Sequence, residues 1–92
     1  RGMTTEDLSG VRVLVVEDEA AISMLLEDML MDFGCEVVGP AARLALALEM
    51  AQGESFDLAI LDVNLAGEPI YPVAEALTAR GLPFVFSTGY GG

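Results

Sequence analysis

Hydrophobic and polar positions along this chain follow two rhythms in turn. The stretch "VRVLVV" (residues 11–16) is almost wholly apolar and rich in β-branched side chains, the pattern of a strand covered on both faces in a parallel sheet. From residue 19 to residue 33, apolar side chains recur at Ile22, Leu25, Leu26, Met29, Leu30 and Phe33. This three-and-four spacing predicts a helix, with Asp18 placed to cap its start and Gly34 to end it. "CEVVG" (residues 35–39) predicts a short strand. Pro40 predicts the start of a second helix over "AARLALALEMA", closed by Gly53. "FDLAILD" (residues 56–62) predicts another buried strand, followed by a turn at Gly67 and a helix from near Pro69 or Pro72 to Gly81. "PFVFST" (residues 83–88) predicts a fourth strand running into "GYGG".

Strand and helix thus alternate with short connections, which implies right-handed crossovers and a doubly wound α/β fold around a parallel sheet. No repeat or low-complexity segment interrupts the order. In such sheets ligands bind beyond the carboxyl ends of the strands, where the strand order reverses. Glu17 and Asp18 end the first strand, Asp62 the third, and Ser87 and Thr88 the fourth.

Ninety-two residues suffice for one small domain. Arg1 and Gly2 precede a methionine and read as the scar of an expression tag, so residues 1–8 are expected to be a tail and residues 9–92 the domain. Fifteen acids against four arginines, with neither lysine nor histidine, give a net charge of -11. That charge disfavours nucleic acid and anionic membrane surfaces and favours cations and basic partners. No apolar run is long enough to span a bilayer, and the single cysteine, Cys35, cannot close an internal disulfide. The expected location is cytoplasmic. Cys35 and the methionines Met24, Met29, Met31 and Met50 are expected to fill the core.

Taken singly, the acids have ordinary explanations. Asp18 and Glu19 suit a helix N-terminus, Asp62 a turn, and Thr88 a strand end. Together they bring three carboxylates and a hydroxyl to one sheet edge with no lysine or histidine to neutralise them. A hard divalent cation resolves the repulsion, and Mg2+ takes oxygen ligands, keeps several waters and commonly uses one or two carboxylates plus a phosphate. Asp18 and Asp62 suit direct ligation and Glu17 ligation through water. With the cation held, Asp62 is able to act as a nucleophile toward a phosphoryl group, and Thr88 to donate to a phosphoryl oxygen.

Through "VLVVEDE", "DLAILDVNL" and "PFVFSTGYG", the chain from Val11 onward resembles the receiver domains of two-component response regulators. The ending is similar to that of an alphaproteobacterial subgroup with a Phe-Ala-Thr-Gly-Tyr motif, Ser87 standing for the alanine. The resemblance implies a flavodoxin-like sheet of order 2-1-3-4-5. It also implies Asp62 as phosphoacceptor, Glu17 and Asp18 as the acidic pair of a Mg2+ site, and Asn64 as the residue whose backbone carbonyl completes that site. Thr88 matches the switch hydroxyl, and the backbone at Asn64 and Gly89 lies where a phosphoryl group approaches. The implied donor is a phosphohistidine of a sensor histidine kinase or a histidine phosphotransfer protein, docking in part on Ile22 and Leu25 at the first helix. From the residues alone, packing accounts for these two side chains. Receivers also carry a lysine at the end of a fifth strand. This chain has none, so the fifth strand and last helices are expected to be absent. An exposed fourth strand would then favour self-association through its edge. Two other readings compete. "AILDVNL" loosely resembles the nucleophile motif of haloacid-dehalogenase-like phosphatases, although Asn64 stands where their general acid belongs. The same fold also serves as an unphosphorylated interaction module. A flavin or nucleotide binder fits least, because carboxylates after the first strand repel phosphate.

Overall fold

The computed structural model describes residues 8–87. Its central sheet contains β1 (Arg12–Val16), β2 (Glu36–Ala41), β3 (Leu58–Asp62) and β6 (Phe84–Ser87). They run parallel in the order β2-β1-β3-β6, the flavodoxin-like order expected for the first four strands. Three helices connect them, α1 (Ala20–Asp32), α2 (Leu44–Gly53) and α3 (Tyr71–Arg80). None is long and apolar enough to cross a membrane.

Alternation along each strand divides the core between two faces. Leu14 and Val16 of β1 and Ala59 and Leu61 of β3 pack with Ala47 and Ala51 of α2 and Val73 and Leu77 of α3. On the opposite face, Val13 and Val15 are buried with Cys35 beside Leu26 and Leu30 of α1. The side chains of Leu14, Leu61 and Leu77 are fully buried, and each contributes about 1.5–3 kcal/mol of hydrophobic stabilisation.

Two helix ends follow the glycine expectation closely. At the end of α1, the Cys35 amide donates to the Leu30 carbonyl at 2.9 Å and the Gly34 amide to Met31 at 3.0 Å. Gly34 has φ +84°, so these are the paired bonds of a left-handed helix stop. The same pair recurs at Gly81, with Leu82 bonding Leu77 and Gly81 bonding Thr78.

Three expectations are corrected, and a fourth is extended. Asp18 does not cap α1; Glu19 occupies that position and makes no side-chain cap bond. Pro40 does not open a helix but lies within β2, whose pairing with β1 shifts register so that Ala41 faces Val16. Sheet pairing therefore overrides the helical preference of the stretch that follows until Leu44. Met24, Met29 and Met31 are exposed on α1 rather than buried, and so is Leu25, because α1 is covered by the sheet along one side only. Finally, the turn at Gly67 is the tip of a small hairpin, β4 (Asn64–Leu65) and β5 (Glu68–Pro69). Ala66 and Gly67 both have positive φ there, the geometry of a tight two-residue hairpin turn.

Candidate functional site

The sheet register builds the site. β1 and β3 pair Val13 with Leu58 through to Val16 with Leu61, so the next rung sets Glu17 beside Asp62. Both continue the face that carries Val13, Val15 and Ile60, because side chains alternate with period two. Asp18 follows at once on the turn into α1. One carboxylate oxygen from each of Glu17, Asp18 and Asp62 lies within 4.8 Å of the other two.

Each acid is held differently. Glu17 is only 4% exposed. Its backbone amide donates to the Ala41 carbonyl at 3.0 Å, and its Oε2 accepts the Glu19 amide at 3.1 Å. Asp18 is exposed and Asp62 half-buried. Asp62 Oδ1 accepts the Asn64 amide at 3.3 Å, a turn that folds the following segment back over the strand end.

Burial raises the Glu17 pKa above its ordinary value, and the negative charges of Asp62 and Asp18 raise it further, against the lowering influence of the Glu19 amide. No ion pair relieves the trio among the described residues. Arg12, which bonds Glu36 at 2.8 Å, sits at the start of β1, the opposite edge of the sheet. The donor set is thus all oxygen, anionic and unneutralised, which suits a hard cation. In octahedral ligation at about 2.1 Å, ligand oxygens stand about 2.9 Å apart when adjacent and about 4.2 Å when opposite. The trio's oxygens, within 4.8 Å of one another, need only a small contraction to reach that spacing.

Of the other expected residues, Asn64 sits in β4 with its amide on Asp62. Ile22 is half-buried and Leu25 61% exposed on the first two turns of α1, the end nearest the acids. Thr88 and Gly89 lie outside the described residues. Sequence reasoning missed the Ala41 carbonyl that anchors Glu17, since a backbone partner leaves no residue signature. It also missed the hairpin, which the glycine-ended turn between two short polar-apolar pairs could have signalled. Beside Asn64 a cleft of about 430 Å³ opens between Val63, Ile70, Tyr71 and Phe86.

A family model described as the response regulator receiver domain matches residues 13–91. The transcriptional regulatory protein PdtaR of Mycobacterium tuberculosis is 38% identical over 97% of this chain, which spans 45% of that protein's length. The solution structure of SdrG from Sphingomonas melonis Fr1 superposes with a TM-score of 0.79 at 46% identity, over 94% of this chain and 70% of that one. The BeF3-activated conformation of SdrG, reported from Pseudomonas melonis Fr1, gives a TM-score of 0.73 at 46% identity, over 90% and 71% of the two chains.

Proposed function

This chain belongs to the response regulator receiver domains, and from that premise we propose that it is a phosphoryl-accepting switch in which Asp62 is the acceptor. The observation that carries the reading is the convergence of Glu17, Asp18 and Asp62 at the carboxyl edge of the sheet, with no ion pair to them among the described residues.

Asp18 and Asp62 would hold a Mg2+ ion, with Glu17 acting through water and the Asn64 carbonyl as a further ligand. When bound, the ion supplies positive charge against the carboxylates and the incoming phosphoryl oxygens. A carboxylate oxygen of Asp62 attacks the phosphorus of a phosphohistidine. An O–P bond forms, the P–N bond breaks, and the imidazole leaves. The Asn64 amide, already on Asp62, keeps the carboxylate oriented toward the open edge. Thr88 is assigned as the switch hydroxyl and the Gly89 backbone as a point of phosphoryl approach. BeF3 is a mimic of a phosphoryl group, so an activated form of the 46%-identical SdrG supports acceptor chemistry here as well.

The donor is a sensor histidine kinase or a histidine phosphotransfer protein in the cytoplasm. Leu25, exposed beside the acids, together with Ile22, is its apolar contact. The phosphatase reading has little left to support it: Asp62 ends β3 rather than the first strand, and Asn64 contributes its backbone amide where a general acid would be needed. The test is transfer of label from a radiolabelled phosphohistidine donor. Wild-type chain is labelled in a Mg2+-dependent way and Asp62→Asn is not; equal labelling of the two proteins disproves the assignment.

A further inference from the structure

The row that aligns Glu17 with Asp62 continues one strand further. β3 and β6 pair Ala59 with Phe84, Ile60 with Val85, Leu61 with Phe86 and Asp62 with Ser87. Partners across neighbouring strands point to the same face, so Ser87 stands beside Asp62 on the side opposite Glu17. Neighbouring strands lie about 4.7–4.9 Å apart, within reach of a hydroxyl. Ser87 is half-buried, as is Asp62. The one backbone amide that donates to Asp62 among the described residues is that of Asn64, in a long bond to Oδ1, and the neighbouring side chain on the β1 side is the Glu17 carboxyl. A serine hydroxyl rotates freely and donates one hydrogen bond.

From this alignment we propose that Ser87 is a positioning residue for phosphoryl acceptance. Rotated toward Asp62 from its register position, its hydroxyl would donate to the carboxylate, fix which oxygen faces the edge, and move to a phosphoryl oxygen once the acyl phosphate has formed. The proposal rests on Asp62 being the acceptor. It assigns a role to the residue at which this chain departs from the alanine of the motif its ending resembles.

The test uses the 92-residue chain with acetyl phosphate and Mg2+, following the acyl phosphate by intact-mass spectrometry at several donor concentrations. Ser87→Ala lowers the maximal rate of acceptance by about tenfold, the scale of one hydrogen bond to a charged group, and leaves the half-saturating donor concentration unchanged. Ser87→Thr, which keeps the hydroxyl, restores the rate to within about twofold. Mg2+ affinity, measured by titration calorimetry, is the same in all three proteins. The proposal is overturned if Ser87→Ala accepts at the wild-type rate, if Ser87→Thr is as slow as Ser87→Ala, or if Mg2+ affinity falls in step with rate. Wild-type chain that takes up no phosphoryl group at all overturns the acceptor reading itself, and this proposal with it.

Discussion

Glu17, Asp18 and Asp62 share one chemistry and differ in surroundings, and this difference sets what each is able to do. Asp18 is exposed and free to bind an ion, whereas Glu17 is buried and pushed toward its neutral form by desolvation and by Asp62. A carboxyl whose pKa is higher in the fold than in the open chain binds more protons when folded. Its stabilising contribution is therefore complete below the ordinary glutamate value, about 4.3, and is lost as pH rises through the raised value. Without metal, Glu17→Gln should melt at a higher temperature than wild type at pH 7–8 and at about the same temperature at pH 4. Mg2+ should raise the wild-type melting temperature at pH 7 and raise that of Glu17→Gln less. A variant that melts below wild type at pH 7 without metal would show that the ionised carboxylate is not a cost to the fold.

At the scale of elements, the site depends on an irregular strand. β2 reaches the carboxyl edge only by slipping its register against β1 between Leu14 and Val16, and the slip delivers the Ala41 carbonyl to the Glu17 amide. Gly39 makes this possible. Its φ is +96°, and a Cβ there would stand 3.0 Å from both the Val15 carbonyl oxygen and the Ala41 nitrogen, so tight that the backbone would have to give by a few tenths of an ångström. Gly39→Ala should cost about 2 kcal/mol in chemical denaturation, from the left-handed backbone and the contact together. It should also weaken Mg2+ binding, because the displaced Ala41 carbonyl releases Glu17. Gly53→Ala, where a Cβ meets nothing within 4 Å, is the control and should be neutral or slightly stabilising. By contrast, the ends of α1 and α3 needed no tertiary information, since a glycine after the last apolar position of the helix marks a stop wherever the helix packs.

At the scale of the whole molecule, one edge of the sheet combines exposed apolar side chains with an absence of charge. The chain carries -11 overall, yet residues 81–92 contain no charged side chain, and β6 lies at one end of the sheet order with Val85 and Phe86 about half exposed. An apolar edge without a charged gatekeeper invites strand pairing, while the net charge opposes it at long range. Light scattering at micromolar concentration should therefore detect self-association that increases with salt, and Val85→Lys should abolish it. A monomer at every salt concentration would show that this edge does not pair with another copy.

The amino-acid sequence by itself determined the alternation of strands and helices, the glycine stops, and the identity of the acids at the strand ends. These are local properties: periodicity, backbone freedom and side-chain chemistry act over a few residues. The receiver likeness was legible for the same reason, because its motifs sit within single strand ends. Tertiary structure alone decided that Glu17 stands opposite Asp62, that Glu17 is buried while Asp18 is exposed, and that Pro40 belongs to a strand. It also decided which side of α1 lies against the sheet, leaving three methionines and Leu25 in solvent. Each of these depends on register and coverage between segments distant in sequence. Such pairing energies arise only once the strands meet, and they outweigh the local preference of any one stretch.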